Sequence, residues 1–138
     1  YNSVDGSPFK RDIIKELADA CKRHDIKLHL YYSHLDWGRE DYPVGRTGAG
    51  TGRPKEKANW PSYYKFMNTQ LTELLTNYGK VGAIWFDGWW DHDSDAKPFD
   101  WQLEKQYALI HKLQPQCLVA NNHLSPLFIQ TAATVPHC

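Results

Sequence analysis

Asp87 ends a short apolar run, Val81-Gly82-Ala83-Ile84-Trp85-Phe86, and is followed by Gly88-Trp89-Trp90. A buried strand accounts for the run. It does not account for a carboxylate where the strand stops. The C-terminal end of a parallel strand is where α/β folds place their chemistry. The aromatic rings around Asp87 suit a flat, partly apolar ligand such as a sugar ring. An ionised Asp there could attack a sugar carbon, take a proton or ligate a metal. Asp-Gly is also a common turn pair, so a plain turn is the competing explanation.

Other groups weigh less. Asp91-His92-Asp93 with Asp95 resembles a metal cluster, but successive residues rarely converge on one ion and no Cys or Glu lies nearby. A solvated acidic loop is the expectation there, with no metal and no cofactor. Asp36-Trp37 could bind a sugar hydroxyl and ring, or form a turn. The glycines at 45, 48, 50 and 52 are not followed by Lys, so no phosphate-binding loop is expected. Of the seven His, only His123, just beyond a strand end, is a candidate ligand-binding residue; the others read as structural or exposed.

Three helix-then-strand units must position these groups. Ser7-Pro8 is expected to open the first helix, with Ile13, Ile14, Leu17, Ala20 and Cys21 at helical spacing. A strand over 26–33 alternates Leu28, Leu30 and Tyr32 with His29, Tyr31 and Ser33. After a long loop over 34–60, a second helix starts near Pro61, its stripe running from Tyr64 to Tyr78, and Gly79 suits its C-cap. The strand 81–87 then places Val81, Ala83, Trp85 and Asp87 on one face. A third helix from about Asp100 carries Leu103, Tyr107, Ile110 and Leu113 inward, and Pro115 stops it before a strand over 117–121. Trp37, Trp60, Trp89, Trp90 and Trp101 fall at or beyond element ends, where binding surfaces are built.

This alternation implies an α/β fold with parallel strands. It is either a small open sheet or part of a (β/α)8 barrel of the TIM type. A whole barrel needs ~250 residues, so 138 residues with about three βα units would be a partial one. All three strand ends carry polar or aromatic groups, which favours a site on that rim.

Composition narrows the partners. Sixteen Lys plus Arg balance sixteen Asp plus Glu, so there is no electrostatic case for nucleic acid or an anionic membrane. No apolar run approaches the ~18 residues of a membrane span. Three Cys at unrelated spacing make no disulfide framework, and Cys21 is expected to be a buried free thiol.

Tyr31-Tyr32-Ser33-x-Leu35-Asp36-Trp37, the segment 70–79 and Ile84-Trp85-Phe86-Asp87-Gly88 together resemble the retaining α-L-fucosidases of glycoside hydrolase family 29. Supporting likeness comes from 8–12, 107–115 and Asn121-Asn122-His123. The resemblance implies a fragment of a catalytic (β/α)8 barrel over 1–126 and a divergent tail over 127–138. It implies hydrolysis of terminal α-L-fucose on glycans or glycoconjugates, without metal. Asp87 would be the nucleophile. Trp85 and Tyr31 would line the fucose subsite, and Asn122 and His123 would lie near the sugar.

The departures are specific. The family's fucose-binding His residues on its first strands have no counterpart here, and no Asp or Glu follows Glu104. Retention needs a second carboxylate ~5 Å from the first. This chain alone is therefore expected to be inactive or nearly so, and to expose two strand edges that promote association. A non-catalytic carbohydrate-binding or structural α/β domain is the alternative from another class. A nucleotide-binding domain is disfavoured by the missing phosphate loop. Linkage preference, oligomeric state and compartment are not encoded legibly; the family's members are often exported or lysosomal.

Overall fold

The computed structural model describes residues 3–52 and 55–122. Three helices and three strands alternate: α1 (Ile13–Arg23), β1 (Leu28–Ser33), α2 (Trp60–Asn77), β2 (Val81–Asp87), α3 (Leu103–Leu113) and β3 (Leu118–Asn121). The strands form one parallel sheet in the order β1-β2-β3. His123 and the tail over 127–138 lie outside the described residues.

Local chemistry sets the helix ends. Asp12, not Pro8, starts α1: its carboxylate accepts the Lys15 N–H at 2.9 Å. Such an N-cap satisfies one donor the first turn leaves free. Asn59 caps α2 in the same way from Ser62 N. Gly79, just past the end of α2, has φ +77°, a conformation in which a side chain is disfavoured.

The sheet has two unlike faces. Leu28, Leu30, Val81, Ile84, Phe86 and Val119 are buried together with Met67 and Leu71 of α2 and Ile110 of α3. The opposite face carries Tyr31, Trp85 and Leu118, which are 57%, 46% and 48% exposed. Val81 departs from the expected alternation. The β1–β2 register shifts between Leu28 and His29, so that Leu28 pairs with Val81 but His29 with Ala83. The extra residue, Gly82, turns Val81 to the core side. A Cβ on Gly82 would lie 2.8 Å from the His29 ring.

The apolar stripe of α1 is only partly used. Ala18 is buried, Cys21 is half-buried rather than buried, and Ile13 and Leu17 stay exposed. Trp101 also differs from expectation. It is buried, packed edge-on against Trp60, Phe99 and His34. It is a core residue and not part of a binding surface.

Candidate active site

β2 ends at Asp87, and the backbone turns there through Gly88, whose φ is +95°. A Cβ on Gly88 would meet the Leu35 side chain at 3.0 Å, so the turn needs glycine twice over. The turn and the carboxylate are thus features of one structure.

Three side chains from three chain segments converge on the Asp87 carboxylate. Tyr31, on β1, donates its hydroxyl to Oδ2 at 2.9 Å. Trp90, three residues beyond Asp87, donates its indole N–H to Oδ1 at 2.9 Å. Asn122, just past β3, donates its amide to Oδ1 at 3.1 Å. The parallel register makes this possible: Tyr31 is level with Trp85 and Ser33 with Asp87, and Asn122 N also donates to Phe86 O. Partial burial alone would push the carboxyl up. The bonds from Trp90, Tyr31, the Gly88 N–H and Asn122 outweigh it and hold the group below the usual carboxylate range. Tyr31 moves the opposite way, raised by desolvation and by its bond to Asp87.

The exposed face beside this carboxylate is aromatic. Tyr31 and Trp85 meet edge to face with centroids 5.6 Å apart. Asp87, Trp85, Tyr31 and Asn122 therefore stand together on one rim. Trp90 belongs with them: it was legible as an indole near Asp87, but not as its hydrogen-bond donor. Asp36 makes a turn, accepting the Gly38 N–H on its own carboxylate.

The acidic segment after β2 is not the solvated loop its composition suggests. Residues Trp89–His92 form one 3₁₀ turn in which Asp91 and His92 are buried. Asp91 accepts from Tyr42 Oη at 2.7 Å, Gly45 N at 3.1 Å, and Thr47 through both its N–H and its hydroxyl. His92 contacts Asp95 through Nδ1 and Pro43 O through Nε2. Among the described residues no grouping of His, Cys, Asp and Glu is arranged to hold a metal ion. His34 is a second buried polar group the sequence did not single out. Its Nε2 lies 2.8 Å from Gln106 Oε1, and its ring packs on Phe86.

Comparison with known proteins leads to the alpha-L-fucosidases. The family model for alpha-L-fucosidase matches residues 1–134. Alpha-L-fucosidase 1 of Arabidopsis thaliana is 32% identical over 108 residues, covering 78% of this chain and 18% of that protein. A putative alpha-L-fucosidase 1 of Oryza sativa subsp. japonica is 34% identical over 120 residues, covering 85% and 20%. The crystal structure of alpha-L-fucosidase from Vibrio sp. strain EJY3 superposes with TM-score 0.74 at 32% identity, over 86% of this chain and 20% of that one. Alpha-L-fucosidase AlfC from Lactobacillus casei, in complex with alpha-L-fucose product, gives TM-score 0.69 at 29% identity, over 86% and 40%. The chain spans about a fifth of the length of these curated relatives. It belongs to the alpha-L-fucosidase family of glycosidases.

Proposed function

We propose that this chain is the nucleophile-bearing part of a retaining α-L-fucosidase barrel, with Asp87 as the nucleophile. The observation that carries the proposal is the Asp87 carboxylate itself: three side-chain donors hold it ionised at the C-terminal end of a parallel strand, beside two exposed aromatic rings. A retaining glycosidase needs such a group, because its nucleophile must be charged before the sugar arrives.

The hydrogen bonds distinguish the two oxygens. Oδ1 accepts from the side chains of both Trp90 and Asn122, whereas Tyr31 is the side-chain donor to Oδ2. Oδ2 keeps the freer lone pair and is the attacking atom. Its bond to the anomeric carbon forms as the bond to the leaving oxygen breaks, and an acid delivers a proton to that oxygen. Water then displaces the carboxylate while the same acid acts as base. Trp85 and Tyr31 line the fucose subsite. Asn122 stands near the sugar through its bond to the nucleophile, and His123 is assigned to the sugar site by the family resemblance alone. The substrate is a terminal α-L-fucoside of a glycan, in keeping with the fucose bound in the Lactobacillus casei relative.

Asp91 does not serve as the acid/base, because four donors already occupy its oxygens. No acidic residue follows Glu104. Both observations support an acid/base supplied from outside this sequence, by a barrel of which these three βα units are one part. The 138 residues alone turn over natural fucosides slowly or not at all.

Incubation with 2-deoxy-2-fluoro-α-L-fucosyl fluoride tests the assignment, because its leaving group needs no acid. Intact mass should show one fluorofucosyl adduct on the chain, mapped to the peptide holding Asp87 and abolished in Asp87→Asn. An unlabelled wild-type chain, or an adduct that persists in Asp87→Asn, overturns the assignment. A non-catalytic sugar-binding domain, which the shortage of acidic residues after Glu104 would suit, gives no adduct.

A further inference from the structure

Asp91 is fully buried and neighbours the residue that donates to the nucleophile. Its two carboxylate oxygens gather Tyr42, Gly45 and Thr47, all from the long loop after β1. Its backbone carbonyl takes a further bond from Arg46 N at 2.8 Å. Gly45 permits this approach, since a Cβ there would lie 2.3 Å from Asp91 O and 2.8 Å from Oδ2. The loop returns the contact at Trp90. The Arg46 guanidinium donates to Trp90 O at 3.3 Å and lies 5.8 Å from the indole centroid.

A buried carboxylate is costly unless its lone pairs are met. Here they are met entirely by a loop more than forty residues away in sequence. The carboxylate therefore ties that loop to the turn after β2 in one arrangement, and the turn carries Trp90. We propose that Asp91 is a positioning residue: it clamps the 42–47 loop onto the turn after β2 and so fixes the Trp90 indole against the Asp87 carboxylate. Its catalytic meaning rests on the nucleophile assignment above, but the clamp can be tested without that assignment.

Carbodiimide footprinting of the 138-residue chain provides the test. The reagent couples an amine to carboxyls in their protonated form, and peptide mass spectrometry reads each site. Besides Trp90, the groups that face Asp87 are Tyr31 from β1, Asn122 after β3, the Gly88 backbone N–H and the buried, neutral His34 behind it. None of these is changed by the substitutions. At pH 5, Asp91→Asn should raise modification of Asp87 about threefold or more, as expected for loss of a hydrogen bond to a charged acceptor. The same change in a Trp90→Phe background should add nothing, because the donor is already gone. Hydrogen exchange should accelerate together in 42–47 and 88–92 while α2 keeps its protection.

If Asp91→Asn does not fold, Tyr42→Phe and Thr47→Val each remove one donor and should show the same pattern more weakly. Unchanged Asp87 modification, with faster exchange confined to 42–47, overturns the proposal and leaves Asp91 a loop anchor only. An equal rise in the Trp90→Phe background overturns it too, since the effect would not pass through the indole.

Discussion

Two carboxylates four residues apart illustrate how environment divides roles. Asp87 is half-buried, and its three side-chain donors leave one oxygen with room for a further partner. Asp91 is buried, and its donors leave no such room. Burial pushes both carboxyls up and hydrogen bonds pull both below the usual range. Groups lowered in this way contribute stability above their unfolded pKa, near ~4, and lose it as pH falls through the folded value. His34 acts at higher pH. Burial pushes its imidazole down to about 4, against the smaller upward pull of Gln106. The neutral ring therefore favours the fold above pH ~6.5, and that contribution drains away between there and pH ~4, by on the order of 3 kcal/mol. The urea midpoint should fall over this window. His34→Gln, which does not titrate, should flatten the slope between pH 6.5 and 4.5 even if its overall stability differs.

Elements hold these residues through a few long-range polar ties. Gln114, the C-cap of α3, is the clearest. Its Oε1 accepts from Val81 N at 2.9 Å, and its Nε2 donates to Leu75 O and Gly79 O at 2.7 and 2.8 Å. One side chain thus serves the start of β2 and the end of α2. Gln114→Ala strands three backbone groups, two of them buried with little access to water. It should cost roughly 3 kcal/mol in equilibrium unfolding, against well under 1 kcal/mol for the neighbouring exposed Gln116→Ala. Much at this scale was legible. The span of β2 was readable from its apolar run and its Asp-Gly stop, and the start of α2 lies one residue before Pro61. The start of α1 was not, because a Pro that could open a helix drew attention from Asp12, whose capping role shows only in its bond to Lys15. The inward turn of Val81 was hidden for a different reason: a bulge is a property of two strands, and neither carries the signal alone. Asp91 was misjudged because all of its side-chain donors lie at least 44 residues away in sequence.

At the scale of the molecule, the described residues form two layers. Helices cover one sheet face; among the described residues β1 and β3 are both edges, and the other face presents Tyr31, Trp85 and Leu118 to solvent. Part of the α1 stripe, Ile13 and Leu17, is bare as well. Exposed edges and apolar faces of this kind promote self-association. Sedimentation velocity should show the chain's weight-average mass rising with concentration. Leu118→Lys, a charge on the bare face, should suppress that rise. A monomer at all concentrations, with a sharp thermal transition, would mean the open sheet is self-sufficient.

Of the three side-chain donors to Asp87, Tyr31 and Asn122 come from either side of it in the sheet and Trp90 from the turn that follows it. A slip of one residue in either strand pairing would carry Tyr31 or Asn122 to the wrong face. The ionisation of this single carboxyl is therefore a register gauge for the entire sheet. During refolding it would reach its final value only after both non-local pairings had locked, which makes it a spectroscopic reporter of that pairing.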